Sequence, residues 1–257
     1  MSTLTSALAD SRTMSQRALR HTLRDPIWLG ASIATPTLFL LLFRYFFGNA
    51  IAAGSGSGTY ADYVMPGILV IAVGATAGAT AVSVTADGAK GIINRFRTMA
   101  IARTSVLTGH AVANVVRTLL SVALVLAIGV LIGFRPTATA GEWLAVAGLV
   151  VLLSAAVSWL AIGIGLAFTT PESSSSMATL IQFLPFLGST FVPTDSMSSG
   201  VRWFAAHQPF TPIIETLRGL LMGDAIGTQA WWALGWCGGL ALAGYVGARW
   251  LFSRAVR

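Results

Sequence analysis

The sequence predicts an all-α integral membrane protein with six spans, and three observations carry that prediction. The first is composition: 55% of the 257 residues are hydrophobic and 10% charged, where a soluble domain carries about 25% charged residues. The mean hydropathy of +0.75 is more apolar surface than one small aqueous core can bury. The second is the spacing of the apolar runs, which fall at about 28–47, 62–84, 109–132, 143–168, 177–192 and 230–251. Each approaches the ~20 helical residues that cross a hydrocarbon core of about 30 Å. The third is where the positive charges lie. Fifteen arginines and one lysine, Lys90, sit in short clusters between the runs, as juxtamembrane segments do. A nucleic-acid binder would instead need a continuous basic face.

Each element follows in order. Residues 1–27 precede the first run; there Arg17, Arg20 and Arg24 share a helical face opposite Leu8, Leu19 and Leu23. Such a helix lies in the headgroup plane, and no short apolar core with a cleavage site marks a removable signal peptide. The first outer loop contains Gly54-Ser55-Gly56-Ser57-Gly58, a flexible linker composition. The inner segment 85–108 carries Lys90, Arg95, Arg97 and Arg103. At 100° per residue, Ile92, Ile93, Phe96, Met99 and Ala100 share one face of it, against Asn94, Arg97 and Thr98. That pattern predicts a short amphipathic helix on a cytoplasmic surface, resting on anionic lipid or docked into a soluble partner. The fifth run is short and contains Pro185. The outer segment 193–229 carries Trp203, Phe204, Phe210 and Leu217, interrupted by Pro193, Pro209 and Pro212. It predicts two short amphipathic helices dipping into the outer leaflet, a placement open only to backbone that protein or a water-filled cavity satisfies. Arginines concentrate before the first run, after the second and in the tail, whereas Arg135, Arg202 and Arg218 are scattered opposite. Both termini are therefore expected in the cytoplasm.

Chemistry is notable for what is missing. A phosphate cradle G-x-x-x-x-G-K-[ST] needs a lysine in that setting, and Lys90 stands between Ala89 and Gly91. ATP hydrolysis, a catalytic residue and a bound metal are not expected in this chain. His21, His110 and His207 are far apart, and no H-E-x-x-H or C-x-x-C occurs. Ser173 to Ser176 lack a neighbouring base and read as a polar inner turn. The nine acidic residues lie at run ends or in loops, so no intramembrane carboxylate relay of an ion-coupled carrier is predicted. Arg44 and Arg117 are the charges closest to lipid. They are expected to snorkel from span ends, since a central arginine costs about 3 kcal/mol on insertion scales. The lone Cys237 is expected to pack as a small hydrophobe.

Three segments, in order along the chain, carry a family resemblance. The stretch Gly91-Ile92-Ile93-Asn94-Arg95-Phe96-Arg97-Thr98-Met99-Ala100-Ile101-Ala102-Arg103 resembles the inner loop of ABC exporter permeases of the second type, in the daunorubicin-resistance branch. Tyr60-Ala61-Asp62-Tyr63-Val64-Met65-Pro66-Gly67 and Gln208-Pro209-Phe210-Thr211-Pro212-Ile213-Ile214-Glu215-Thr216-Leu217-Arg218 are similar to that family's second span and last outer segment. The resemblance implies one transmembrane domain over 1–257 in a bacterial inner membrane. It has an N-terminal elbow helix over 1–27, a cytoplasmic coupling loop over 85–108 and a re-entrant segment over 193–229 before the last span.

It further implies two permease halves, copies or paralogues, on a dimer of ABC ATPase subunits that bind ATP and Mg. Gly91, Ile92, Arg95, Phe96, Arg97 and Met99 would couple to the ATPase, with Phe96 the apolar anchor. Gln182, Phe183 and Phe186 would face a pathway for a hydrophobic drug-like or lipid-like substrate. That pathway runs along the first, second and fifth spans, surrounded by lipid, with no role for nucleic acid. Two departures stand out: Lys90 where many relatives are acidic, with Asp87 three positions earlier, and Gln208-Pro209 where many read Asn-Pro. Beside a drug exporter stand a lipid or glycoconjugate exporter and a non-transporting membrane scaffold for a soluble ATPase. A membrane-embedded transferase or protease would need convergent catalytic groups that the chain does not show.

Overall fold

The computed structural model describes residues 26–47, 60–89 and 103–255. Among them, every regular element is helical. Helix α1 (Pro26–Leu42) runs on into a π-helical turn (Phe43–Phe47), and α2 (Tyr60–Ala75) is followed by α3 (Ala77–Ala89). Then come α4 (Arg103–Ile132), α5 (Ala140–Ala167) and α6 (Pro171–Phe183), which tightens into a 3₁₀ turn at Leu184–Leu187. A second 3₁₀ turn (Thr194–Ser196) leads to α7 (Ser199–His207), α8 (Phe210–Met222) and α9 (Gln229–Ala255). Among the described residues, three helices are long and apolar enough to cross a membrane: Tyr60–Ala89, Leu107–Ile132 and Ala140–Ala167, with 30, 26 and 28 residues. Gly30–Phe46 is a shorter apolar helix. The segment 193–229 forms two short helices, α7 and α8, as its proline spacing predicted.

Local chemistry sets the ends. Helix α5 opens on a capping box: the Thr139 amide and hydroxyl donate to Glu142 Oε2 at 2.6 and 2.8 Å. The Glu142 amide donates back to Thr139 Oγ1, so two otherwise orphaned groups are satisfied reciprocally. Helix α6 starts on a Thr170 cap with Pro171 in its first turn, where a missing N–H costs nothing. Helix α8 stops at Gly223, whose φ of +75° suits a residue without a Cβ. Between α2 and α3, Thr76 turns its hydroxyl back onto the Val73 carbonyl at 2.8 Å and meets Thr118 Oγ1 on α4 at 2.8 Å. Such back-bonding bends helices, and here it splits one 30-residue helix in two.

Helix α2 is the central column; it is buried from Val64 to Gly74 and packs against α1, α4, α6 and α8. Helix α9 lies outside, along α5, while α3 is held between α5 and α6. Small polar groups stitch the long helices together, as expected where apolar burial alone does not drive association. Asn114 Nδ2 donates to Ser158 Oγ at 2.9 Å, Thr85 Oγ1 to the Gly165 carbonyl at 2.9 Å, and Ser121 Oγ to the Ser32 carbonyl at 3.2 Å.

Two expectations are corrected. Arg117 does not sit near a span end. It lies mid-way along α4 and is buried, on the face that carries Asn114, Thr118 and Ser121. The serine run is no turn: Ser173 to Ser176 are inside α6, with Ser174 fully buried and Ser176 bonded to the Glu172 carbonyl at 2.9 Å. Helix α3 runs to Ala89 and α4 begins at Arg103, so the flanking helices reach into the segment 85–108. At the end of α3, Thr85 Oγ1 bonds to the Ala81 and Gly165 carbonyls.

Candidate functional site

The aromatic residues of α1 and α6 converge. Phe186 lies 4.9 Å from Phe39 of α1, edge to face, and 5.6 Å from Phe183. Phe191, beyond the 3₁₀ turn, lies 5.1 Å from Phe186 and stacks on Phe43 at 3.9 Å. Two of the sequence-selected pathway residues, Phe183 and Phe186, thus belong to one cluster of five rings. The third, Gln182, marks the crossing of α6 over α2: a Cβ on Gly74 would stand 2.8 Å from the Gln182 Cα. Beyond the cluster, α6 presents Met177, Leu180, Phe183, Leu184 and Leu187 outward, with Phe183 47% exposed. Helix α1 presents Leu38, Tyr45 and Phe46 in the same manner.

The turn that carries Phe191 is held on three sides. Tyr60 donates its hydroxyl to the Phe191 carbonyl at 2.9 Å, and Tyr63 to that of Ser189 at 3.1 Å. Thr190 fills a notch on α2 where Gly67 has no side chain; any Cβ there would collide with it. From α8, Arg218 donates Nη2 to the Ser189 carbonyl at 2.9 Å and both Nε and Nη2 to the Tyr63 carbonyl at 3.3 and 3.2 Å. Its guanidinium lies 3.9 Å over the Tyr63 ring and pairs with Glu215 at 2.6 Å. The side chain is buried, and the planar fork is what lets one group serve two carbonyls and a carboxylate. Arg218 and Glu215 also line a cleft of about 370 Å³ with Asp195 and Asp224. Among the described residues, no group of three or more His, Cys, Asp or Glu could hold a metal ion.

Sequence reading missed Phe39 and Phe191 as partners of Phe186, and Phe43 as the partner of Phe191, and it counted Arg218 only as a scattered outer charge. The pairings join residues far apart in the chain, though the i, i+4 spacing of Phe39 and Phe43 was a legible sign. The expected coupling residues Gly91, Ile92, Arg95, Phe96, Arg97 and Met99 lie outside the described residues, as does the N-terminal elbow up to residue 25.

Comparison with known proteins settles what kind of bundle this is. The family model of the ABC-2 type transporter matches residues 10–222. The chain belongs to the ABC-2 type transporter family. It is 29% identical over 225 residues to the daunorubicin resistance ABC transporter permease protein DrrB1 of Streptomyces coeruleorubidus, covering 85% of this chain and 78% of that one. It is 28% identical over 243 residues to the probable doxorubicin resistance ABC transporter permease protein DrrC of Mycobacterium tuberculosis, covering 91% and 85%. The membrane-spanning helices and these relatives make the chain an ABC transporter permease, the transmembrane component of a system whose ATPase is a separate subunit.

Proposed function

We propose that the chain is the permease half of an ATP-driven exporter that moves a hydrophobic or amphipathic molecule outward by alternating access. The observation that carries this reading is the ring cluster of α1 and α6. It forms a polarizable apolar surface, continuous with exposed faces of both helices, and is capped by a clamped turn. A second permease half laid against those faces would enclose a pathway between them. Such a surface takes flat or greasy cargo without needing a matched hydrogen bond.

Six spans fit the helices. Helix α9 is 27 residues long, and its tryptophans and glycines dilute its hydropathy without shortening it. Trp231 and Trp232 are exposed at one end, and Trp250 is stacked under Arg254 at 3.7 Å at the other. Trp232 and Trp250 are separated by ~27 Å of helix, the spacing of two interfacial aromatic belts. The arginine-bearing end of α9 packs by Ala248 and Phe252 against Val84 of α3 and Leu107 of α4. That end of the bundle, with loop 90–102, is the cytoplasmic end in this reading, with α7 and α8 the re-entrant pair at the outer end. ATP and Mg belong to a dimer of ABC ATPase subunits, and the coupling residues Phe96, Arg95 and Arg97 with Gly91, Ile92 and Met99 meet it.

The test is ATP hydrolysis by the chain purified with the ATPase encoded beside it, in lipid vesicles, using doxorubicin as the probe. Wild type is expected to form a stable complex whose hydrolysis rises with the drug, whereas Phe96→Ala and Arg97→Ala lose the rise. Absence of any association, in wild type and variants alike, would refute the assignment. Phe186→Ala is expected to keep the complex but raise the half-stimulating concentration about fivefold, since a lost ring contact is worth about 1 kcal/mol. An unchanged dose curve would remove Phe186 from the pathway.

A further inference from the structure

Residues 90–102 connect α3 to α4, and these two stem helices touch near the ends that the segment joins. Asp87, in the last turn of α3, brings Oδ2 to 3.2 Å from His110 Nε2 on α4. Both side chains are largely buried, at 13% exposure for His110 and 23% for Asp87. Both helices also pack on α5, and each has a further neighbour of its own, α6 for α3 and α1 for α4. The side of α3 that carries Thr85 is pressed into α5, where a Cβ on Gly165 would stand 2.6 Å from the Ala81 carbonyl. The α2–α3 column meets α6 at Gly74, beside the residues that carry the ring cluster. Helix α4 is fixed to α5 through Asn114 and Ser158, and to α1 through Ser121 and the Ser32 carbonyl.

We infer that Asp87 and His110 form a clasp that closes the base of loop 90–102, so that a push on the loop moves α3 and α4 as one body. The inference rests on the exporter reading above and assigns these two residues a positioning role in it. Without the clasp, a push on the loop would reach α3, the stem that packs on α6, only through the apolar contacts it shares with α4 and α5. With it, the displacement reaches the Gly74 crossing and the rings beyond. The contact is a hydrogen bond in which the imidazole, with its proton on Nε2, donates to the Asp87 carboxylate. A side chain with a donor at the same reach should therefore serve. The link is short-range and off the ATP sites, so it should change coupling and leave basal hydrolysis alone.

The experiment uses the purified complex in vesicles with doxorubicin as the probe, and compares His110→Leu, His110→Gln, Asp87→Leu and the exchange Asp87→His with His110→Asp. Basal hydrolysis and recovery of the complex are measured beside drug-stimulated hydrolysis. The two leucine variants are expected to assemble and keep basal hydrolysis, with stimulation reduced about fivefold or more, the usual scale of coupling between sites. The glutamine variant and the exchange are expected to restore at least half of it. Wild-type stimulation in the leucine variants would overturn the clasp, as would an equal loss in the glutamine variant and the exchange. Absence of stimulation in wild type itself would overturn the exporter reading, and the clasp with it.

Discussion

Arg218→Met is expected to lower the stability of the chain by roughly 3 kcal/mol, the scale for breaking a buried charge pair by removing one partner. In detergent this should appear as a fall of roughly 10 °C in the unfolding midpoint. The arginine is 9% exposed and ties α8 to the carbonyls of Tyr63 and Ser189, besides pairing with Glu215. Methionine fills much of the same space, so the loss reports the polar contacts and not a cavity. Two companions sharpen the result. Arg218→Lys keeps the charge but presents a single ammonium where a planar fork serves three acceptors, and should recover less than half. Tyr63→Phe removes only the hydroxyl that donates to Ser189, and should cost about 1 kcal/mol. A midpoint for Arg218→Met within a degree or two of wild type would show that the guanidinium does not hold the turn that carries Phe191. In that case Phe191 is kept against Phe43 by ring packing, the two tyrosine hydroxyls and the seat of Thr190 at Gly67.

The helices were legible in the sequence because a run of apolar residues long enough for a bilayer leaves the backbone few alternatives. Their rotation was not. In α5, apolar residues occur on every face, so periodicity does not say which side meets α9, α3 or α4. The information sits instead in small and polar residues, such as Ser154 and Ser158, both fully buried. Reading α4 by the same rule would have placed Arg117 correctly. Asn114, Thr118 and Ser121 recur at three- and four-residue spacing and mark the inward face, and Arg117 lies beside it, so its charge is housed by protein and does not snorkel.

The candidate site was half legible for a related reason. Phe183 and Phe186 stand out at i, i+3 next to Pro185, and the resemblance pointed to the fifth span. What the rings touch depends on how α1 crosses α6, and no local pattern encodes that crossing. Arg218 was passed over because a charge in an outer segment is normally solvated. Only the structure shows the two backbone carbonyls it reaches, one on α2 and the other in the turn after α6.

Two glycines offer the second large effect, with opposite signs. Alanine is the better helix former by about 1 kcal/mol, so Gly148→Ala, at a position in α5 with open space around a Cβ, should be neutral to slightly stabilising. Gly74→Ala should be destabilising despite the same gain in propensity. Its Cβ would stand 2.8 Å from the Gln182 Cα and 3.3 Å from the Gln182 nitrogen. Those are backbone atoms, which cannot swing aside as a side chain tip can, so α6 must move bodily away from α2. Overpacking of this kind costs about 1–3 kcal/mol, and Gly74→Leu should go further and prevent the crossing. The displaced helix carries Phe183 and Phe186, so Gly74→Ala should also shift the drug dose curve of the complex, while Gly148→Ala leaves it in place. Unfolding midpoints of the two alanine variants, measured side by side in one detergent, check the sign. Equal or inverted midpoints would mean that α6 does not rest on α2 at this glycine, and the route from the loop stems to the ring cluster would lose its middle link.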